Sequence, residues 1–101
     1  MSERVKFESH GDERGSLIVI ETGKSIPFEI RRAYYIFGTK LGVERGFHAH
    51  KTLNQVAVAV AGSCEIVLDD GETQVTELLD SEENGVLIRP GIWRVMRNFS
   101  I

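Results

Sequence analysis

Two histidines, His48 and His50, are the residues of this sequence whose type and spacing best suit chemistry. They stand in the segment RGFHAHK, residues 45–51. Strand side chains alternate between faces, so in a strand both imidazoles project from one face, roughly 6–7 Å apart. Such a pair can share a ligand or a metal, or move protons near neutral pH. The alternative is two histidines on an exposed face, but two of the chain's three histidines fall within these three positions.

Strand-like runs surround this segment and must position it. They are rich in β-branched and aromatic residues, and they cover residues 16–21, 32–38, 55–61, 63–69, 74–79, 86–89 and 92–96. Glycines punctuate the runs, and Asp70-Gly71 predicts a hairpin, because glycine accepts the positive φ of a primed turn. No window of twelve or more residues has a convincing helical period. Residues 1–101 therefore predict a single all-β domain, a sandwich or barrel.

One run, QVAVAVA at residues 55–61, is apolar on both faces. A strand of this kind is covered twice, once by the core and once by a second sheet or a partner subunit. This strand, together with the family resemblance described below, leads us to expect a homodimer.

Charge and cysteine content narrow the partners and the compartment. The net charge of −3 gives no general attraction to nucleic acid or anionic membranes. Arg89, Arg94 and Arg97 lie close together in sequence, and Arg45 and Lys51 flank the histidine pair. These bases predict a local cationic pocket that suits a small anionic ligand better than a polymer. Cys64, the only cysteine, cannot form an internal disulfide and is expected in the core. Without a membrane-span pattern or a signal-peptide pattern, we expect a cytoplasmic protein.

The arrangement of glycines and histidines resembles the cupins, all-β jelly-roll (double-stranded β-helix) barrels. Gly46, His48, His50 and Gly62 match their first motif, and the segment PGIWR at residues 90–94, followed by Asn98, matches the second. In metal-binding cupins a glutamate and a further histidine complete the ligands. Here the glutamate position holds Asn54 or Gln55.

Arg94 occupies the position of the second-motif histidine. A guanidinium cannot ligate a metal, and its charge repels a divalent ion. Two imidazoles alone make a poor metal site. We therefore expect no metal and no cofactor, and imidazoles that act as acid and base.

A closer resemblance is to the cupin-type dTDP-4-keto-6-deoxyglucose 3,4-ketoisomerases (WxcM-like or FdtA-like). It covers essentially the whole chain. Its segments here are DERGSL (12–17), IPFEI (26–30), YYIF (34–37), RGFHAHK (45–51), GSC (62–64) and LDDG (68–71), together with Arg32, Gln55, Trp93, Met96, Phe99 and Ser100.

The resemblance implies a reaction and roles for residues. The enzyme moves a ketone from C4 to C3 of a dTDP-linked hexose, and the product feeds an aminotransferase on the way to a deoxy-amino sugar of a bacterial surface glycan such as lipopolysaccharide or an S-layer glycan. His48 and His50 are then the acid and the base, without an assignment of which is which. The implied substrate-binding residues are Tyr35, Arg45, Arg14, Gln55, Lys51, Trp93 and Arg94.

Several of these residues have structural alternatives. Tyr35 and Trp93 also suit a barrel core, although Trp93 could instead stack on the thymine. Gln55 could hydrogen-bond the substrate or only satisfy backbone groups of its own strand. Arg14 suits a pyrophosphate, since guanidinium pairs phosphate in a bidentate way, or a surface ion pair in a turn. Lys51 could simply be a solvated neighbour of the histidines.

The chain departs from the family in two places. Family members usually have histidine at the position of Arg94, and they continue past Phe99-Ser100 with further strand sequence. We therefore expect a barrel short of C-terminal strands, with an edge that a neighbouring subunit or further sequence covers. The alternatives to a ketoisomerase are a non-catalytic nucleotide-sugar-binding cupin module of a larger protein and a metal-dependent cupin enzyme.

Overall fold

A computed structural model of the chain describes residues 2–100, and every regular element in this part is a strand. The strands are β1 (Glu3–Lys6), β2 (Ser9–Asp12), β3 (Gly15–Ile18), β4 (Arg45–His48), β5 (Gln55–Ala57), β6 (Cys64–Asp69), β7 (Gln74–Leu79), β8 (Asn84–Ile88) and β9 (Trp93–Arg97). The all-β prediction is confirmed.

The strands form three antiparallel sheets. The largest has the order β4-β9-β6-β7, the second has the order β1-β8-β5, and β2 and β3 form a separate hairpin. The four-stranded sheet carries the histidine segment on its edge strand β4, next to β9. The second-motif segment therefore lies beside the first only because β9 returns antiparallel to β4.

The hydrophobic core lies between the two larger sheets. Ile66 and Leu68 of β6 alternate with residues of the opposite face and meet Val86 and Ile88 of β8, all essentially inaccessible to solvent. Each such side chain contributes on the order of 1.5–3 kcal/mol by leaving water. Cys64 belongs to the same cluster, so its assignment to the core is confirmed. Burial raises the pKa of its thiol.

The hairpin predicted at Asp70-Gly71 is present between β6 and β7. Its loop has four residues, 70–73, because the pairing ends at Asp69 and Gln74. Gly71 adopts a φ of 97°, and Asp70 Oδ1 accepts hydrogen bonds from the backbone N–H groups of Glu72 and Thr73. The aspartate thus supplies the acceptors that hold the turn.

Several predicted strands are shorter than expected or missing. Residues 32–38 form no strand, since no strand of residues 2–100 pairs with them. The run at 55–61 is a strand only over Gln55–Ala57, and the run at 16–21 only over Gly15–Ile18. Val60, in the predicted doubly covered strand, has 74 % of its surface exposed. Aromatic and β-branched residues favour strands only where a neighbouring strand offers pairing and cover, which these segments lack here.

Candidate active site

The backbone around the histidines is irregular. The pairing of β4 with β9 is interrupted by a bulge between Gly46 and His48, and Phe47 has a φ of 60°, rare for a residue with a side chain. Gly46 has a φ of 104°, and a Cβ there would lie 2.8 Å from the carbonyl oxygen of Arg94. Only glycine allows this close approach of β4 to β9.

The bulge changes how the two histidines meet. His48 is the last residue of β4 and His50 lies beyond it, so the prediction that both stand on one face of a strand is wrong. Their rings nevertheless lie in an edge-to-face arrangement, with centroids 5.0 Å apart and planes at 87°. The two imidazoles are therefore adjacent although His50 lies outside the strand.

Backbone hydrogen bonds fix both histidines. His48 Nδ1 lies 2.9 Å from the carbonyl oxygen of Gly46, so Nδ1–H donates to it in the tautomer that satisfies both groups. This leaves Nε2 of His48 as the atom that can exchange a proton. The carbonyl of His50 accepts a 2.7 Å hydrogen bond from the backbone N–H of Gly91, which ties the first motif to the second.

Arg94 lies directly across the ladder from His48, and only 3 % of its surface is exposed. Among the charged residues from 2 to 100, Arg94 is the one whose side chain is buried. Its Nε and Nη2 atoms have no hydrogen-bond partner, and none of the ion pairs among these residues involves it. Burial lowers the pKa of Arg94, an effect that Tyr34 opposes. A buried guanidinium with unmet donors is suited to binding an anionic or carbonyl oxygen.

Further polar side chains of this region lack hydrogen-bond partners or make only weak contacts. Gln55 Nε2 donates to the hydroxyl of Tyr34 at 3.5 Å, while the side-chain oxygens of Gln55 and Asn54 are buried without a hydrogen bond. The guanidinium of Arg32 lies 5.0 Å from the centre of the Tyr34 ring. Buried polar atoms are normally satisfied, so these groups are available to a polar ligand.

The electrostatic setting favours a neutral His50. Its pKa is lowered, first by burial, then by the positive charge of Arg94, with smaller effects from His48 and Arg32. A neutral imidazole can accept a proton, which is the property required of a general base.

Other residues predicted for the site lie outside this cluster. Tyr35 is 78 % exposed, with its ring 5.6 Å from that of Phe37. Arg45 and Lys51 are exposed. Trp93 is half-exposed, and because it neighbours Arg94 in β9 its side chain belongs to the other face of the strand.

Arg14 is on the turn of the β2–β3 hairpin and is bound to its neighbour Asp12. Its Nη2 lies 2.6 Å from Asp12 Oδ2, and its Nε contacts both oxygens of the same carboxylate. This contact lowers the pKa of Asp12. Arg14 and Asp12 line an open groove of about 430 Å³ on the hairpin, and the two histidines do not line it.

The predicted cationic pocket of three arginines does not form. Arg89 pairs with Glu3 at 2.7 Å, and Arg97 pairs with Glu65 at 3.2 Å. Residues 94 and 97 of a strand point to opposite faces, so only Arg94 turns towards the histidines. Of the three arginines, only Arg94 remains without an ion-pair partner in the described part of the chain.

Tyr34 and Arg32 were missed by the sequence interpretation, which named Tyr35 instead. Residues 32–38 form no strand, so the alternation of side chains gave no reliable way to choose between Tyr34 and Tyr35. The structure brings Tyr34 to Gln55 and Arg94.

Two features are absent from the described residues. Between residues 2 and 100, no three His, Cys, Asp or Glu side chains are grouped so that they could hold a metal ion. Nor does this part of the chain contain a helix long and apolar enough to cross a membrane.

The fold and the site together define a cupin-like protein whose histidines stand beside an arginine. The family model described as FdtA, WxcM-like, C-terminal matches residues 2–101. The chain belongs to this family.

Proteins similar to the chain are named as sugar 3,4-ketoisomerases or 3,4-oxoisomerases. It is 49 % identical over 96 residues to the TDP-4-oxo-6-deoxy-alpha-D-glucose-3,4-oxoisomerase of Aneurinibacillus thermoaerophilus, covering 95 % of this chain and 69 % of that protein. A 3,4-ketoisomerase from Helicobacter canadensis is 48 % identical, with a TM-score of 0.94 over 98 % of this chain and 74 % of that one.

QdtA from Thermoanaerobacterium thermosaccharolyticum, a sugar 3,4-ketoisomerase solved in complex with TDP, is 35 % identical. Its TM-score is also 0.94, with 98 % of this chain and 72 % of that chain covered. A histidine-to-asparagine variant of QdtA was solved in complex with TDP-4-keto-6-deoxyglucose.

Proposed function

We propose that this chain is a metal-independent 3,4-ketoisomerase of dTDP-4-keto-6-deoxyglucose, and that His48 and His50 transfer the protons. The observation that carries the proposal is the imidazole pair beside a buried guanidinium that lacks a partner. The family membership and the activities named for its relatives support the substrate class.

The reaction takes place in two steps, each of which removes one proton and adds one, and it needs no external oxidant. A base removes the proton from C3 while an acid protonates the C4 carbonyl oxygen, which gives an enediol. The O3 hydroxyl then loses its proton and C4 gains one, so C3 becomes the ketone and C4 the alcohol. The electron pair stays within the sugar. Two neighbouring imidazoles can serve as the base and the acid of both steps.

The groups around the histidines suit the charge that develops during this reaction. Arg94 Nε and Nη2 and the Tyr34 hydroxyl are donors that can stabilise an enediolate oxygen. Gln55 Oε1 can accept a sugar hydroxyl. Arg14 on the hairpin is proposed to exchange its contact with Asp12 for one phosphate of the nucleotide, and Arg94 is proposed to bind the other phosphate or the enediolate oxygen.

The remaining predicted residues keep outer roles. We propose that Tyr35, Arg45, Lys51 and Trp93 contact the nucleotide or the sugar from the rim of the site. Their exposure is compatible with such contacts, since a bound nucleotide sugar extends well beyond two imidazoles.

We also propose that the chain forms a homodimer. Several large apolar side chains of residues 2–100 are exposed, including Phe37 at 81 % and Val60 at 74 %. Exposed apolar side chains mark an interface where they form a contiguous patch. Light scattering on a size-exclusion column would give twice the chain mass, and Val60→Glu would shift the protein towards monomer. A wild-type protein of single chain mass at micromolar concentration would refute the dimer.

The proposed product is a 3-keto sugar nucleotide, whose carbonyl is a substrate for an aminotransferase. We place the enzyme in the synthesis of a 3-amino deoxy sugar for a bacterial surface glycan, in the cytoplasm. The single buried thiol of Cys64 is compatible with a reducing compartment.

Proton exchange in D₂O tests the function directly. Wild-type protein is incubated with dTDP-4-keto-6-deoxyglucose, and NMR follows loss of the C3 proton and formation of the 3-keto product. His48→Asn and His50→Asn should each reduce turnover by roughly 10²–10⁴-fold, the usual contribution of one acid–base group. His10→Asn is the matched control for kcat, because His10 is the third histidine and lies exposed on β2, in the hairpin groove with Arg14 and away from the imidazole pair.

Three results would refute the proposal. Binding of the sugar nucleotide without proton exchange would indicate a non-catalytic binding module. Near-wild-type rates in both histidine variants would remove the catalytic assignment. Stoichiometric iron, nickel or manganese in active protein, with activity lost on chelation, would indicate a metal-dependent cupin.

A further inference from the structure

The position of Arg94 has a consequence for His50 that goes beyond binding the substrate. Arg94 is 3 % exposed and stands across the ladder from His48, whose ring is 5.0 Å from that of His50. The backbone of His50 is in turn held by Gly91, three residues before Arg94. A permanent positive charge is thereby built into the wall around the imidazole pair.

No negative charge offsets it among residues 2–100. The carboxylates that pair with other arginines, such as Glu3 and Glu65, belong to ion pairs with Arg89 and Arg97. The groups whose charges lower the pKa of His50 are Arg94, His48 and Arg32, and none of them is a carboxylate. A proton added to His50 would therefore lack a carboxylate partner among these groups.

We propose that Arg94 is a positioning residue that keeps His50 neutral in the empty site, and that an anionic group bound against Arg94 lets His50 take up a proton. This inference rests on the proposed function for the identity of that anion. A phosphate or an enediolate oxygen provides the missing partner of the guanidinium. Once Arg94 is paired, its field on His50 is largely cancelled, and the ring can hold the proton that the reaction transfers.

The field of a buried charge makes this coupling effective. Water screens charges poorly where they are removed from solvent, so Arg94 acts more strongly than an exposed arginine at the same distance. The lowered pKa of His50, with burial as its largest cause and Arg94 as the next, agrees with the geometry. Arg32, which is exposed, has a smaller effect.

NMR titration of the histidine rings tests the coupling without turnover. The ring Cε1–H signals of His48 and His50 are assigned with the His48→Asn and His50→Asn variants and followed from pH 4 to 9 in the full chain. Arg94→Gln should shift the midpoint of His50 to higher pH, whereas Arg94→Lys, which keeps the charge, should leave it near the wild-type value. Arg97→Gln is the control, because Arg97 is on the same strand but paired with Glu65.

Adding TDP as the anionic probe tests whether an anion bound to Arg94 lets His50 take up a proton. In the wild type it should shift the His50 midpoint to higher pH, and in Arg94→Gln it should add little further shift. Amide spectra establish that each variant is folded, and Arg94→Met replaces Arg94→Gln if the latter is not.

An unchanged His50 midpoint in a folded Arg94→Gln or Arg94→Met protein would overturn the proposal. So would an equal shift in Arg97→Gln, or a wild-type midpoint that saturating TDP leaves in place. The titration of the Arg94 variants uses no substrate, so it can support the coupling even if the chain shows no isomerase activity. Failure of this proposal can therefore be told apart from failure of the proposed function.

Discussion

Replacing Arg94 by methionine should make the protein more stable and less active. Arg94 is essentially inaccessible to solvent, yet two of its nitrogens have no hydrogen-bond partner and no carboxylate is paired with it. Each unsatisfied buried donor costs on the order of 1–3 kcal/mol, more for a charged group. Methionine fills a similar volume with flexible apolar atoms and removes both donors and the charge.

We therefore expect Arg94→Met to raise the free energy of unfolding by about 1–4 kcal/mol, the range seen when buried charges are replaced by apolar side chains of similar size. Urea unfolding followed by Trp93 fluorescence would measure it, with each kcal/mol also raising Tm by roughly 4–8 °C in a domain of this size. Arg97→Met is the matched control, since Arg97 is partly exposed and paired with Glu65, and it should change stability by less than about 1 kcal/mol.

The ligand supplies a second comparison. TDP should stabilise the wild type by mass action and stabilise Arg94→Met much less, because the guanidinium that receives the anion is gone. A loss of stability in Arg94→Met comparable with a core truncation, about 2–5 kcal/mol, would refute the reasoning. It would mean that the guanidinium is satisfied in solution and contributes to the fold.

Three further predictions concern the same site. The pKa of His50 lies below its ordinary 6.5, so below about pH 6.5 the unfolded chain binds more protons than the folded one. The free energy of unfolding should therefore fall as the pH drops through this window. In urea titrations, His50→Asn should make this fall less steep. Gly46→Ala should cost about 2–4 kcal/mol, from its φ of 104° and the 2.8 Å approach to the Arg94 carbonyl. Gly42→Ala, with a φ of 80° and open space around it, should cost only about 1–2 kcal/mol, and equal losses would contradict the steric argument. Arg14→Gln should raise KM for the sugar nucleotide several-fold and leave kcat within about threefold of the wild type, and a kcat loss matching that of a histidine variant would place Arg14 in the proton transfer instead.

The sequence predicted the local parts of the site better than its assembly. The HxH spacing identified His48 and His50, and the placement of Arg94 in the second motif indicated that a cation would stand where a ligand is expected. The ladder between β4 and β9 confirms that the two motifs are neighbours. The bulge at Phe47 was not predictable, because a positive φ in a non-glycine residue follows from how two strands meet and leaves little trace in composition.

The choice between Tyr34 and Tyr35 shows the same limit. Both lie in one aromatic run, and the resemblance favoured Tyr35. The structure places Tyr34 next to Gln55 and leaves Tyr35 exposed. Which of two adjacent side chains faces a site depends on the path of residues 32–38 across the molecule, and that path has no strand partner within residues 2–100 to make it regular.

The sequence by itself therefore determined the class of fold, the identity of the histidine pair and the presence of an arginine in place of a metal ligand. These features follow from residue type and from periods of two or three positions. Only the tertiary structure decided that Arg89 and Arg97 are paired with glutamates, that Arg94 alone is buried, and that its charge faces His50 without a carboxylate. Ion pairing, burial and field depend on residues that are 30 to 90 positions apart in the chain, such as Glu3 and Arg89, and folding alone brings such residues together.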